Sequence, residues 1–310
     1  MKGVSTGAIR PLCFFTKRGD SMVCDISAES VTNVIREMFL EANTVLPEDM
    51  RALIRRSAAE ERSPLGRSVL SEILGNIDLA EREKTPLCQD CGMAVVFLDL
   101  GQEVHISGGS LEAAVDEGVR QAYRDGYLRA SVVSDPLFDR KNTKDNTPAI
   151  LNVRIVPGSR IRITAAPKGF GSENMSALAM LTPASGRDGV VRFVTGAVEK
   201  AGPNPCPPIV VGVGIGGDFE SVALLAKRAL LRPAGTPNPD PRYAALESDI
   251  LRAANELGIG PAGYGGDTTA LSVAVEYAPT HIAGLPAAVN ICCHANRHVV
   301  REIGGMEGDR

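Results

Sequence analysis

The stretch IVVGVGIGG occupies residues 209–217, and an apolar pattern with helical spacing follows it over residues 219–231. Residues 209–213 form an almost continuous apolar run, which is typical of a strand buried on both faces. The glycines of residues 214–217 then connect this strand to the helix. A buried strand that leads through a short glycine-rich turn into a helix predicts an α/β fold.

Helical patterns occur along the whole chain. The first three predicted helices start at Ala28, Pro47 and Ser63, and the third ends before Pro86. They are predicted to form an N-terminal helical layer. The later predicted helices cover residues 111–127, 175–180, 189–200, 219–231 and 243–257.

Short runs of β-branched and apolar residues predict the strands, which cover residues 94–98, 104–106, 150–156, 160–165, 209–213, 271–277 and 287–292. We expect the second of these strands to be the hairpin partner of the first, and the third and fourth to form another hairpin. The sequence shows no internal repeat and no convincing linker. It therefore predicts a single large α/β domain over residues 22–310, with a mixed sheet and helices packed around it.

The composition of the 310 residues excludes several classes of protein. A hydrophobic content of 44% with 23% charged residues indicates a soluble globular chain. The formal net charge of −4 gives no reason to expect binding to nucleic acid or to an anionic membrane surface. No apolar run of about 20 residues is present to span a bilayer. Residues 1–21 lack the apolar segment of a secretory signal, and we expect them to be a disordered extension of a cytoplasmic protein.

Seven cysteines stand at positions 13, 24, 88, 91, 206, 292 and 293. An odd number without a secretion signal indicates a reducing compartment, and thiol or metal chemistry rather than a disulfide framework. Cys13 and Cys24 are interpreted as small buried side chains. Cys206 lies in the rigid turn Asn-Pro-Cys-Pro-Pro of residues 204–208, a poor place for mere packing.

The segment PLCQDCG, residues 86–92, allows three interpretations. A zinc site would use Cys88, Cys91 and the adjacent pair at 292–293, although adjacent cysteines chelate one ion poorly. A thioredoxin-like redox pair would need a helix after the C-x-x-C motif, whereas a strand follows here. In the third interpretation, Cys88 joins Cys206 and Cys293 as thiolates that hold a [4Fe–4S] cluster, with the fourth iron open to a ligand.

Two glycine-rich segments can approach a ligand closely. Residues 212–217 satisfy the dinucleotide pattern G-x-G-x-x-G. The acidic residue expected about 20 positions later would fall in a proline-rich connector, which weakens a nucleotide site. Residues 168–174, KGFGSEN, combine a lysine with two glycines; they suit either a ligand loop or an ordinary strand-to-helix turn.

His281 lies in a predicted loop between two strands, where it could be a bystander or an acid–base partner for a carboxylate such as Asp90.

Several segments together are similar to one enzyme family. They are residues 86–90, 142–148, 168–176, 206–217 and 279–298. In order and spacing they resemble the α region of the class I, iron–sulfur-dependent fumarases and tartrate dehydratases, from about Met22 onwards. The resemblance implies a hydro-lyase that adds water reversibly to a small dicarboxylic alkene. The sequence PTHIAG at residues 279–284 is more similar to the fumarase branch, which implies interconversion of fumarate and (S)-malate.

The resemblance also implies roles for individual residues. Cys88, Cys206 and Cys293 would hold the [4Fe–4S] cluster. The catalytic pair would be Asp90 and His281. The remaining substrate-binding positions would be Gln89, Arg129, Gly169 and Gly171.

Three positions depart from the family pattern: Cys91, Phe170 and Cys292 replace residues that are usually threonine, small and glutamine respectively. The two cysteines could compete as cluster ligands, and Phe170 could reshape the substrate pocket. The family also uses a second region that supplies further cationic groups, and it does not follow the Cys293 segment here. We therefore expect an α subunit that needs a separate β subunit for activity.

Overall fold

The computed structural model describes residues 13–18 and 21–304. Its helices are α1 Ala28–Thr44, α2 Glu48–Glu60, α3 Pro64–Glu83, α4 Leu111–Asp125, α5 Phe170–Glu173, α6 Gly186–Ala201, α7 Phe219–Ala229 and α8 Pro241–Glu256. Its strands are β1 Cys13–Arg18, β2 Ser21–Ser27, β3 Met93–Gly101, β4 Val104–Ser107, β5 Ile150–Val156, β6 Arg160–Lys168, β7 Ala177–Leu181, β8 Ile209–Gly217, β9 Ala270–Thr280, β10 Leu285–Cys292 and β11 Val299–Gly304.

The mixed α/β class with helices around the sheets is confirmed. Two compact units subdivide the predicted domain. The helix α1 belongs to the first unit, whereas α2 and α3 belong to the second, so the three N-terminal helices are shared between the units. The sequence did not reveal this subdivision because each unit is assembled from segments that are distant along the chain.

The first unit combines the described residues up to Thr44 with Gln89–Pro167 and the residues from His298 onwards. It contains a three-stranded sheet in the order β1-β2-β4 and a four-stranded sheet in the order β11-β6-β3-β5. Helices α1 and α4 pack against each other. Cys24 is buried in the core as predicted, and it is disulfide-bonded, which was not predicted.

The second unit combines Val45–Cys88 with Lys168–Arg297. Its sheet has the strand order β7-β10-β8-β9, in which β10 is antiparallel to both neighbours and β8 is parallel to β9. Helix α7 packs on β8 and β10, and α8 packs on β9. Among the described residues, no helix is both long and apolar enough to cross a membrane.

Side-chain caps explain why several helices begin where the sequence predicted. The Ser27 hydroxyl accepts a hydrogen bond from the Ser30 amide at the start of α1, over 3.1 Å. Ser63 caps α3 in the same way, and Pro64 occupies its first turn. Asp218 accepts a bond of 2.9 Å from the Ser221 amide and forms a capping box at the start of α7. Each cap satisfies amides that the first helical turn leaves without a partner.

Three local predictions were wrong. Residues 104–107 do form a strand, but it pairs in parallel with β2 instead of forming a hairpin with β3. Strands β5 and β6 are not a hairpin either, because β3 lies between them. Residues 175–180 were expected to be helical, whereas Ala177–Leu181 form β7. Their alanine, leucine and methionine content favours a helix, but pairing with β10 overrides that weak preference.

The predicted extension, residues 1–21, lies only partly within the described residues. Residues 1–12 and 19–20 are outside them, and Cys13–Arg18 form strand β1, which pairs antiparallel with β2. The sequence prediction did not include this strand.

The glycines of the G-x-G-x-x-G pattern, residues 212–217, serve the packing of α7 against β8. Strand β8 includes the whole motif, so its glycines do not form a loop that could cradle a pyrophosphate. A Cβ atom added at Gly212 would lie 2.2 Å from the Ala226 carbonyl oxygen, and one added at Gly214 would lie 2.2 Å from that of Val222. The two glycines therefore let the backbone of α7 lie directly against the central strand of the sheet.

This close approach predicts that Gly214→Ala destabilises the chain. The new methyl group would force α7 away from β8, and overpacking of this kind costs about 1–3 kcal/mol. Chemical denaturation followed by circular dichroism would measure the loss.

Gly196→Ala is the matched control, because an added Cβ at Gly196, inside α6, meets no atom within 4 Å. It should leave the chain unchanged or stabilise it by up to about 1 kcal/mol. Equal stability of the Gly214→Ala variant and the wild type would contradict the packing interpretation.

Candidate functional site

The register of β10 brings distant segments together in the second unit. Cys292, the last residue of β10, lies opposite Val210, close to the start of β8. On the other side of β10, Val289 lies opposite Ala177, the first residue of β7. The chain before β8, the chain before β7 and the chain after β10 therefore meet at one end of the sheet.

Cys206 lies in the turn before β8. Its φ of 55° is in the left-handed region, and the turn continues through a cis bond between Pro207 and Pro208. The residue is exposed, but partial burial around the thiol raises the pKa of Cys206, and the neighbouring Cys88 raises it further. The Nδ1 of His294 donates a hydrogen bond of 3.0 Å to the Cys206 carbonyl. The Cys206 turn is thus tied to the segment that follows β10.

The backbone position of Cys88 is fixed by the contacts of the preceding residue, Leu87. Leu87 packs in the same hydrophobic cluster as Val210 and Cys292. The Asn76 side chain donates a hydrogen bond of 2.9 Å to the Leu87 carbonyl, which fixes the backbone just before Cys88. The Cys88 side chain itself is partly exposed.

Cys292 and Cys293 differ in their surroundings although they are adjacent. Cys292 is buried in the hydrophobic cluster, and Cys293 is partly exposed. Their side chains share a hydrogen bond, which is the first cause that lowers the pKa of Cys292 to about 6; the positive charges of Lys168 and Arg297 lower it further. The same hydrogen bond, with burial, raises the pKa of Cys293. Within the pair, a negative charge is therefore favoured on Cys292.

A buried polar network lies beside these cysteines. Lys168 is 5% exposed and its ammonium lies 3.2 Å from the Glu173 carboxylate. Lys227 forms a second ion pair with Glu173, and the Asn290 side chain donates a hydrogen bond of 2.9 Å to the same carboxylate. Burial by itself raises the pKa of Glu173, but the two lysines and the hydrogen bonds outweigh burial, and the net shift is downward.

The glycine loop adjoins the Cys206 turn. Gly169 caps the short helix α5, and its carbonyl accepts a hydrogen bond of 3.1 Å from the Lys168 ammonium. A Cβ atom at Gly171 would lie 3.7 Å from the Asn204 carbonyl, two residues before Cys206. Phe170 is 42% exposed. The buried Lys168 side chain therefore stabilises the conformation of the loop through its hydrogen bond to the Gly169 carbonyl.

Other predicted site residues belong to the first unit. Gln89 is exposed, and the Asp90 carboxylate accepts a hydrogen bond of 2.9 Å from the Gly92 amide. The Arg129 side chain is exposed, and it has no ion-pair partner within the described part of the chain. Cys91 is buried in the core, where its sulfur accepts a hydrogen bond of 3.2 Å from the Arg129 amide. That position gives Cys91 a packing role in this unit.

His281 lies in the second unit, after β9. It lines a cavity of about 480 Å³ together with Arg187, Arg242 and Tyr243, and its Nδ1 accepts a hydrogen bond of 3.2 Å from the Ala283 amide. Cys88, Cys206 and Cys293, all of them described residues, are not in the lining of this cavity. The pairing of His281 with Asp90 stays a prediction.

Cys88, Cys206 and Cys293 are the predicted metal ligands. Among the described residues, no three histidine, cysteine or acidic side chains converge as the ligands of a single ion would. A [4Fe–4S] cluster has a different requirement, because each thiolate binds its own iron and the sulfurs stay apart. Cys88 and Cys206 influence each other electrostatically, and a hydrogen bond joins the Cys206 turn to the residue after Cys293. The donor set fits a cluster.

Comparison with known proteins identifies the family. The model of the fumarate hydratase (fumerase) family matches residues 32–302. The chain belongs to the fumarate hydratase family. It is 41% identical over 279 residues to a Methanocaldococcus jannaschii protein named "Putative L(+)-tartrate dehydratase subunit alpha", covering 88% of this chain and 97% of that protein. It is 30% identical over 275 residues to the L(+)-tartrate dehydratase subunit alpha of Escherichia coli K12, covering 87% and 90% respectively.

Membership of the fumarate hydratase family confirms the predicted resemblance to the α subunits of class I hydro-lyases. The three predicted ligands, Cys88, Cys206 and Cys293, and the glycine loop lie within the matched residues. Both of these relatives are named tartrate dehydratases, so their names do not support the predicted preference for fumarate.

Sequence reasoning missed the polar network around Glu173. One signal was available, because Asn290 interrupts an otherwise apolar strand, and a polar residue at a buried position requires a hydrogen-bond partner. The identity of that partner could not be read from the sequence, since Glu173 and Lys227 are distant along the chain.

The network predicts a specific pH dependence of stability. Because the folded pKa of Glu173 is lowered, its ionised carboxylate stabilises the fold above the ordinary value near 4.5, and that contribution is lost as the pH falls through the folded pKa. The Glu173→Gln variant should therefore have a lower free energy of unfolding than the wild type at pH 7. This difference should shrink as the pH falls below about 4.5. Urea unfolding at several pH values would measure it; a difference that is independent of pH would contradict the prediction.

Proposed function

We propose that the chain is the α subunit of a [4Fe–4S]-dependent hydro-lyase whose cluster is held by Cys88, Cys206 and Cys293. The observation that carries the proposal is that the Cys206 and Cys293 segments meet the glycine loop at one end of β10, with Leu87 of the Cys88 segment packed in the same hydrophobic cluster as Val210 and Cys292. Three thiolates leave one iron of the cluster open to a ligand, as a hydro-lyase requires.

Buried positive charge lies close to the proposed ligand Cys293. Lys168 and Arg297 are buried cations that act on the Cys292–Cys293 pair. Metal ligands must be deprotonated, and neighbouring cations reduce the free-energy cost of burying the resulting charge. In this proposal Cys91 and Cys292 are not ligands, because both are packed in hydrophobic cores.

When bound, the cluster would supply a Lewis acid that makes the hydroxyl group of the substrate a better leaving group. The chain's own residues would do the rest. The exposed guanidinium of Arg129 would bind a substrate carboxylate through paired hydrogen bonds, with Gln89 and the amides of Gly169 and Gly171 orienting the substrate. Asp90, paired with His281, would move the proton on the carbon next to that carboxylate.

The proposed substrate is a small dicarboxylic acid. The PTHIAG segment supports fumarate and (S)-malate as the substrate pair, which would place the enzyme in the tricarboxylic acid cycle. L(+)-Tartrate is the second candidate, and the names of the relatives favour it. Mesaconate would require room for one more methyl group, which changes the preference of a pocket by only about 1–3 kcal/mol.

The proposed partner is a separate β subunit in a cytoplasmic heteromer. The relatives are named as alpha subunits and align over nearly their whole length, which supports a division of the enzyme between two chains. The further cationic groups that stabilise the developing negative charge of the substrate would come from that second chain.

Single cysteine substitutions test the ligand assignment. Cys88→Ala, Cys206→Ala and Cys293→Ala should each lose most of the iron and sulfide and the brown absorbance after anaerobic reconstitution, because each removes one of three ligands. Metal analysis and visible spectra would measure the loss. Cys91→Ala is the control and should retain its cluster. A wild-type chain that binds zinc but no iron would favour a structural thiol module and contradict the proposal.

An anaerobic assay of the reconstituted chain with a co-expressed candidate β subunit tests the reaction. We expect reversible hydration of fumarate, and the kcat/KM values for (S)-malate, L(+)-tartrate and mesaconate would decide the preferred diacid. The chain without the β subunit should be inactive, since it lacks part of the charge stabilisation. Full activity of the chain alone would contradict the two-subunit proposal.

A further inference from the structure

The Glu173 network is a buried polar cluster that none of the proposed catalytic residues uses. Lys168 ends β6 and enters the glycine loop, and its ammonium donates to the Ser172 hydroxyl over 2.9 Å in addition to its contact with Glu173. An ammonium held in this way is not free to bind a substrate, although its sequence position suggested that it could. Its contacts fix the shape of the loop.

The same network joins the glycine loop to β10. The Asn290 amide nitrogen donates to Glu173 over 2.9 Å and to the Ser176 hydroxyl over 3.0 Å. The backbone amide of Ile291 donates to the same Ser176 hydroxyl over 3.3 Å. Both ends of residues 173–176 are therefore bonded to residues that precede Cys293 by two or three positions.

Burial of the polar Asn290 side chain has a free-energy cost that its hydrogen bonds must offset. It is 5% exposed, and its Oδ1 has no hydrogen-bond partner among the described residues. A buried acceptor without a partner is unfavourable, and an aliphatic side chain would fill the same position in an apolar strand without that cost. Asparagine offsets this cost through the two hydrogen bonds that its Nδ2 donates to Glu173 and Ser176.

We propose that Glu173 is a positioning residue that sets where the Cys293 thiolate lies relative to the glycine loop. Lys168 and Lys227 hold its carboxylate from two sides, and Asn290 connects the carboxylate to the strand that ends in the Cys292–Cys293 pair. The inference rests on the proposed function, because it concerns a cluster ligand and a loop that would meet the substrate. It adds a residue that acts on the Cys293 segment through Asn290 and is itself neither a proposed cluster ligand nor a proposed substrate-binding residue.

Three variants of the full chain test this role after anaerobic reconstitution. Glu173→Ala removes the hydrogen bond between Asn290 and the carboxylate, and Asn290→Ala removes that bond together with the one to Ser176. Glu173→Gln keeps an oxygen that can accept from Asn290. We expect the alanine variants to show a changed electron paramagnetic resonance spectrum of the oxidised cluster and faster loss of iron to a chelator. The loop amides of residues 169–176 should exchange hydrogen about tenfold faster, as for one lost hydrogen bond to a charged group. Glu173→Gln should restore most of the wild-type spectrum.

Glu220→Ala is the matched control, since Glu220 is an exposed residue in the first turn of α7, the helix that carries Lys227. It should match the wild type in both the spectrum and the amide exchange. In the assay with the β subunit, the alanine variants at 173 and 290 should also raise KM for the diacid.

The outcomes separate the two proposals. A wild-type chain that assembles no cluster overturns the proposed function and this inference with it. A wild-type chain that assembles one, while Glu173→Ala and Asn290→Ala keep its spectrum and its loop exchange rates, overturns the inference alone. If Glu173→Ala fails to fold, Asn290→Ala decides, because it leaves both ion pairs of Glu173 in place.

Discussion

The antiparallel register of β10 is the constraint on which the candidate site depends. It places Cys292 opposite Val210 and Val289 opposite Ala177, so that the ends of three distant segments meet. In a strand, successive side chains point to opposite faces, and a slip of one residue exchanges the faces. Such a slip would bury Cys293 in the hydrophobic cluster that now holds Cys292. A register error of one residue would therefore remove a predicted ligand while leaving the sheet intact.

Two different kinds of contact hold this register. On one face, Gly212 and Gly214 let α7 lie against β8, and this contact leaves no space for a side chain at either glycine. Beside β7, Asn290 connects β10 to Glu173 and Ser176 through hydrogen bonds that only one register satisfies. Apolar packing supplies most of the free energy of folding, but it tolerates small shifts. The buried hydrogen bonds do not, because a shift would leave charged groups without partners.

The sequence revealed the parts of the fold that depend on local patterns. Helical periodicity and the N-terminal residues Ser27 and Ser63 located most helices, whereas the cap at Asp218 emerged only from the structure. The predicted cluster ligands lie in separated segments of the sequence. The errors fall where pairing over long distances decides the structure. Residues 177–181 have helical composition but complete a sheet, and the strand at residues 104–107 pairs with β2 instead of its neighbour along the chain. The G-x-G-x-x-G motif was ambiguous because glycines serve close helix packing and phosphate binding equally well.

The charges around β10 act on the cysteine pair that contains the proposed ligand Cys293, beside a hydrophobic cluster. Lys168, Lys227 and Arg297 are cations in this region, and the Glu173 carboxylate is shared between the two lysines. Buried cations are expensive unless anions balance them. The Glu173 carboxylate offsets part of the lysine charge, and a thiolate at Cys292 would be stabilised by Lys168 and Arg297. The lysine that fixes the glycine loop therefore also lowers the cost of ionising a sulfur next to the proposed ligand Cys293.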